Sequence, residues 1–348
     1  MKKQIICGIV MLFFLFTGMN AQRVEKNLEE SFSASSETIL DIDSKFGEVK
    51  ILEGDESRVE VKANIWVESN RKETAEEILS ELDARITKTD NRIIVESILP
   101  SKLNTSKKTQ FRIDFEIHAP AGINLELASK YGIVYIEEVS GHADISVAYG
   151  TFKIQELNRG KEKPLNTVDL AYSSGSIEEA GWLKMDLSYS KLSMSEARAM
   201  VVLSKYSSLS VDETSSIVID SKYDTYSLGE INNFLGEMKY GNLKIDELDK
   251  QFEIESGYTS VKIDEISENF ESIRIDNARG GYKLGLSDAA SFTINGFAKR
   301  GDIDVVGMKG LNKKTENADK YVEGTHGNNP ESTIDIEVKD GSVKIYLE

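Results

Sequence analysis

The sequence predicts an all-β chain, a β-solenoid of coils about 17 residues long preceded by a β-rich cap region that carries one helix. Three observations predict it. Tyrosines recur at Tyr131, Tyr149, Tyr172, Tyr189, Tyr206, Tyr223, Tyr240 and Tyr258, in steps of 18, 23, 17, 17, 17, 17 and 18. Apolar residues recur at fixed offsets from each tyrosine. The chain holds only four prolines in 348 residues, so long runs of regular β-structure are open to it.

The N-terminus is read first as a leader. MKKQIICGIVMLFFLFTGMNAQ has a basic start at Lys2 and Lys3, an apolar run from Ile5 to Phe16 and a small-residue exit, the pattern of a secretory signal peptide cleaved after Ala21. The run is short for a membrane span, and no later segment approaches one, so the expectation is export to a periplasm or the cell surface with no integral membrane segment after cleavage. The single cysteine, Cys7, lies inside the leader. A mature chain without thiols has no disulfide, thiolate metal site or cysteine nucleophile. Loss of Lys2 and Lys3 takes the formal charge from −17 to −19, which argues against nucleic acid and anionic membranes as partners.

Residues 22–120 form the expected cap region. Val59, Val61, Ala63, Ile65 and Val67 alternate with polar residues, as do Phe111, Ile113, Phe115 and Ile117, and each series predicts a strand with one buried face. Arg92 to Leu99 predicts another. Between them, Ala75, Ile78, Leu79, Leu82 and Ile86 are spaced for one face of a helix near 71–86, with Asn70 and Glu73 as a capping pair. Its expected role is to cover an end of the sheet.

Residues 121–348 form the expected repeat. Four residues before the tyrosine stand Ile145, Met185, Val202, Ile219 and Ile254; three and five after it stand Leu192 with Met194, Leu209 with Val211, and Leu243 with Ile245. Strand side chains alternate faces, so these sets point inward, and the tyrosines are expected to stack inside as a buried ladder. An insertion at 158–166 explains the 23-residue step, and a longer polar excursion at 311–332 precedes the last strands. Past Tyr258 the inward pairs continue as Tyr282 with Leu284, Ile303 with Val305, and Val343 with Ile345. Phe46 lies 85 residues before Tyr131, five times 17, although the intervening helix breaks the repeat.

SKFGEVKI, SKYGIVYIEEVSG and MKYGNLKIDEL, together with the leader and the strand-rich start, resemble the bacterial putative adhesin families built of β-strand repeats, of the Bacteroidota type. The resemblance covers most of the mature chain. It implies a right-handed β-helix of exported type and an adhesive role, and it brings no catalytic residues. The looser repeats after Tyr258 and the 311–332 excursion depart from its pattern.

Seven residues after the aromatic anchor stand Glu53, Glu138, Glu156, Glu179, Glu196, Glu213, Glu230, Glu247 and Glu265. Carboxylates stacked at strand spacing repel by roughly 1 kcal/mol per neighbouring pair even in water, so something must offset them. Three offsets are compatible with the sequence: backbone N–H groups at a corner, lysines such as Lys244 and Lys262, or a row of cations, Ca²⁺ above all, along Glu196, Glu213, Glu230 and Glu247. Lys130, Lys205, Lys222 and Lys239 precede the tyrosines, with Asp220 and Glu237 two residues earlier, as a solvated charged face.

Catalytic patterns are sparse. His118, His142 and His326 lack zinc-type spacing, and no serine sits in a Gly-x-Ser-x-Gly elbow. The functional expectation is a non-enzymatic, adhesin-like binding or scaffold protein of the cell envelope, without a cofactor unless Ca²⁺, whose partner is an envelope or surface protein or glycan. The alternatives are a β-helix polysaccharide-processing enzyme and a periplasmic accessory to envelope signalling.

Overall fold

The structure, a computed structural model, describes residues 21–102 and 109–347. The leader read over residues 1–21 lies, but for Ala21, outside the described residues. The protein is nearly all β, 72% strand, with one helix among the described residues, and every described strand belongs to one hydrogen-bonded sheet.

The middle of the sheet is built of rungs. Lys191–Lys205, Ser208–Lys222 and Thr225–Lys239 are strands of 15 residues, separated by two residues each. They pair parallel and in register, Lys191 with Ser208 and Ser208 with Thr225, so each rung advances the sequence by 17. Alternation breaks where two successive residues face outward, as at Asp212–Glu213 and Asp246–Glu247, and the pairing skips a residue there. These are the corners at which a strand bends.

Inward residues of successive rungs lie over one another. Leu209, Tyr226, Leu243 and Val261 form one buried column, and Met200, Ile217, Phe234 and Phe252 another. The Phe234 and Phe252 rings stack at 5.0 Å. Glycine occupies the next inward position, because a Cβ on Gly236 would stand 2.7 Å from Ile219 Cγ1 and 2.8 Å from the Phe234 ring. Fully burying one such side chain is worth about 1.5–3 kcal/mol, so the columns dominate stability.

The rung order at the two ends differs from the sequence order. Ile39–Lys45 lies between Arg92–Ile98 and Asn124–Lys130, and Glu48–Glu53 lies between Gln110–Ala119 and Ile133–Val139. The parallel stack therefore begins well before Ala121. At the other end Ser332–Lys339 lies between Ser272–Ala278 and Phe292–Lys299, and Ser342–Leu347 lies between Gly281–Leu286 and Asp302–Val306. The last rung in sequence is thus next to last in space.

Antiparallel strands close both ends. Gln22–Ser33 pairs with Arg58–Ser69, which pairs with Gln110–Ala119, and the helix packs on the first two. The polar excursion predicted at 311–332 is in large part a hairpin, Asn312–Glu316 with Asp319–His326, paired onto Phe292–Lys299. Its outer strand is fully exposed and carries Lys313 and Lys314, charges that oppose further edge pairing.

The helix is shorter than the spacing predicts. It spans Lys72–Glu81, with Arg71 at the N-cap position and no side-chain cap bond. Leu82 is already extended, and Ile86 lies in the strand Asp83–Thr89, paired antiparallel with Arg92–Ile98. Residues 82 and 86 sit on one face of a helix and also on one face of a strand, so periodicity alone carries the helix too far; Ile86, Thr87 and Thr89 then favour the strand.

Candidate binding surface

The tyrosines occupy the two-residue gaps between rungs, and each is left-handed, with φ from 51° to 64°; Phe46 joins them at 58°. The N–H of each donates to the next rung, Tyr206 to the Lys222 carbonyl at 3.1 Å and Tyr223 to that of Lys239 at 2.9 Å. A left-handed residue breaks the alternation of a strand. Lys205 and Tyr206 therefore both face outward while Ser207 faces in. This corrects the expected burial: the rings form a ladder on the surface, each tyrosine 42–51% exposed.

From Phe46 to Tyr258 nine rings stack in one row, with centroids 4.8–5.2 Å apart and planes 2–24° from parallel. Each left-handed residue costs about 1–2 kcal/mol, and each offset-stacked pair returns about 0.5–1.5 kcal/mol, so stacking on two neighbours offsets the backbone strain. Contact between ring carbons needs only about 3.5–4.0 Å. Rings spaced wider than that are shingled, and part of each face stays open.

Beneath each ring an inward polar residue ties the turns together. Ser173 N donates to Ser190 Oγ and Ser190 N to Ser207 Oγ, both at 3.1 Å, and Ser207 N to Asp224 Oδ1 at 2.6 Å. Asp224 replaces serine in this column and is 2% exposed. Its Oδ2 accepts from Ser204 Oγ, Ser221 Oγ and Lys222 N at 2.7–2.9 Å. Ser204 also bonds the Tyr226 hydroxyl at 2.6 Å, and burial pushes that phenol well above its ordinary pKa.

The rim of the row is chemically open. Among the described residues the hydroxyls of Tyr131, Tyr149, Tyr172, Tyr189, Tyr206, Tyr223 and Tyr240 meet no protein partner, whereas Tyr258 accepts from Arg279. Arg279 stacks on Tyr258 and closes that end; Arg300 and Asp340 pair beyond it at 2.8 Å. At the other end Phe111 tilts against Phe46. Lys130 lies over Tyr131 and Tyr149, its ammonium 5.1 Å and 5.7 Å from their centroids. Lys239 pairs with Glu237 at 2.6 Å and Lys45 with Asp43 at 3.2 Å.

The glutamates lie in register from Glu138 to Glu265; on that side the pairing of Glu48–Glu53 with Ile133–Val139 ends at Ile51, and the Glu53 N–H donates to the Glu137 carboxylate at 3.0 Å. Glu196, Glu213, Glu230 and Glu247 are exposed and accept no backbone or lysine hydrogen bond among the described residues. Lys244 bridges to Asp264 at 3.4 Å, and Lys262 also pairs with Asp264, so these lysines serve the neighbouring column instead. The Glu247 carboxyl is held above its ordinary range by burial first, then by repulsion from Glu230, Asp249 and Glu265. No three His, Asp or Glu side chains among the described residues are placed to hold a metal ion.

On the face leading to the tyrosines, a groove of about 480 Å³ is lined by Asp220, Glu237, Glu255 and Asp276 beside Arg274. The four acids are cross-strand partners in one column. His118, His142 and His326 lie apart from one another, on 110–119, at a turn and on the terminal hairpin.

No protein-family model and no curated protein matches the chain. Solved structures do. A putative adhesin from Parabacteroides distasonis matches with TM-score 0.39 and 8% identity, over 92% of this chain and 97% of that one. A putative adhesin from Bacteroides fragilis matches with TM-score 0.29 and 10% identity, over 92% and 97%. A putative cell adhesion protein from Clostridium sporogenes matches with TM-score 0.19 and 12% identity, over 93% and 100%.

Proposed function

We propose that the chain is an exported, non-enzymatic right-handed β-solenoid with coils of about 17 residues, which binds a partner at the cell envelope in the manner of an adhesin. The connections support the solenoid reading. Parallel neighbours normally need a crossover of a dozen or more residues, whereas rungs such as Lys191–Lys205 and Ser208–Lys222 are joined by two. A strand so joined must itself turn back on its start at its corners.

The observation that carries the binding reading is the tyrosine row. Seven half-exposed rings, whose hydroxyls have no partner among the described residues, stand on a scaffold fixed by in-register pairing. Tyrosine is enriched where proteins bind, because it offers a large rigid surface with a polar tip. The leader supports export.

Protease shaving of intact cells tests the location. Lys161 is exposed in the 158–165 loop and is followed by Glu162, so trypsin should cut there from outside if the chain is displayed. Protection until the envelope is opened would move the protein to the periplasm and favour an accessory role. Binding of the purified chain to cells, lost on replacing Tyr172 and Tyr189 together, tests the surface. The polysaccharide-processing alternative draws on the groove beside Arg274, and glycan turnover abolished by Arg274→Ala would establish it.

A further inference from the structure

One stretch of the tyrosine row differs from the rest. The position just before the ring is lysine in the rungs of Tyr131, Tyr206, Tyr223 and Tyr240, but Ala148, Ala171 and Ser188 before Tyr149, Tyr172 and Tyr189. These residues are direct cross-strand partners, flanked in the same column by Lys130 and Lys205. Small side chains next to large rings leave a trough along the ladder. Four steps of 4.8–5.2 Å separate the two lysine rungs, roughly 20 Å.

The trough has three chemical properties. Its tyrosine wall repeats a hydroxyl with no partner among the described residues at each step, and its rings are the most nearly parallel of the row, 2–3° apart. The shingled faces offer apolar surface beside each hydroxyl. Its opposite side carries the cross-strand pair Asp169 and Asp186, whose charges disfavour a further negative one; desolvation, then repulsion from Asp186 and Asp144, holds the Asp169 carboxyl above its ordinary range against the pull of Lys184.

We infer that this trough is a binding site for a linear, neutral polysaccharide lying parallel to the ladder. The inference rests on the proposed binding function and names its ligand class. A sugar unit presents C–H faces to aromatic surface and hydroxyls to phenols, and an extended β-linked chain repeats both at a step comparable to the rungs. Several weak contacts in one line then add through effective concentration. An anionic chain meets Asp169 and Asp186, and a cationic one meets Lys130 and Lys205 at the ends.

The test is titration of the purified full chain with cello-, xylo- and manno-hexasaccharides, with polygalacturonate and chitosan oligomers as charged controls. One neutral hexasaccharide should bind saturably, and more tightly than its trisaccharide, which spans fewer rings. Ala171→Trp, which fills the trough and leaves every tyrosine in the chain, should weaken binding about tenfold or more. Tyr172→Phe with Tyr189→Phe, which keeps the stack and removes two hydroxyls, should weaken it roughly three- to tenfold. Tyr→Phe variants that bind equally well, an Ala171→Trp variant of unchanged affinity, or preference for a charged control would overturn the inference. If every neutral sugar fails while the chain still binds cells through the tyrosines, the ligand class falls and the proposed function stands; if cell binding fails too, both fall.

Discussion

The Phe46 ring stacks on that of Tyr131, 85 positions later in the sequence, at 5.0 Å and with 18° between their planes. The rung that carries Phe46 is the neighbour of the rung that carries Tyr131, so the row of rings runs without a break through a place where the chain order is interrupted. Phe46→Ala would remove its contacts with Tyr131 and Phe111 while keeping the left-handed backbone. Denaturant melts should show a loss of about 1–3 kcal/mol, against little change for Phe46→Tyr. Equal stabilities for Phe46→Ala and wild type would mean that the junction gains nothing from the stack.

Two substitutions at Tyr206 separate backbone strain from stacking. Tyr206→Ala loses both ring neighbours and keeps a left-handed residue with a Cβ. Tyr206→Gly loses the same contacts but relieves about 1 kcal/mol of strain. Glycine should therefore be the milder change, in reverse of the usual order within strands. A half-exposed ring also makes Tyr206→Ala a matter of about 1–3 kcal/mol, below the loss expected of a buried aromatic.

Asp224 supplies a second comparison. Replacing it with Ala would orphan two backbone N–H groups, Ser207 N and Lys222 N, and take the shared acceptor from the Ser204 and Ser221 hydroxyls. A loss of about 2–4 kcal/mol is expected. Asp224→Ser restores the residue found at this place in the three preceding turns and should cost markedly less. A serine variant as unstable as the alanine one would show that the carboxylate is needed for more than the turn.

The glutamate row predicts a pH dependence. Glu247 has a folded pKa above its unfolded value of roughly 4.3, so the native state carries the full penalty above the folded value and sheds it as pH falls toward the unfolded one. The combined Glu213→Gln, Glu230→Gln, Glu247→Gln variant should melt about 1–2 °C above wild type at pH 7 and no higher below pH 4. Wild type should melt equally in CaCl2 and in EDTA. A calcium-dependent rise that vanishes in the variant would instead assign cations to the row.

Sequence made the rungs legible because the same inward offsets repeat wherever strands pair in register: Leu209 and Val211, Leu243 and Ile245, Val261 and Ile263 are all buried. It misplaced the tyrosines for a physical reason. Alternation assumes an unbroken extended backbone, and one left-handed residue per rung reverses the reading for the ring while leaving every offset intact. A positive φ at a bulky residue is rare enough that nothing in a lone tyrosine announces it; the following Gly47, Gly132 and Gly150 and the short Ser173, Ser190 and Ser207 were the available signal of a tight turn. The rung order at the ends was not legible, since a strand's pattern states which face it buries but not which neighbour covers its edge. The strand Gln22–Ser33 was missed because its outward face is highly charged and its inner face only partly buried.

The placement of Ser332–Lys339 and Ser342–Leu347 between rungs made earlier in the sequence has a consequence for how the molecule is completed. Residues 332–347 act as a keystone. A growing chain can lay down its middle in the order of synthesis, but residues 292–306 have no parallel neighbour to lean on among the described residues until residues 332–347 arrive. A copy that lacks residues 332–347 loses the partner of the rungs on both sides at once and leaves their apolar faces and strand edges open to proteases. Residues 332–347 are thereby the piece that locks the rungs on either side of them together.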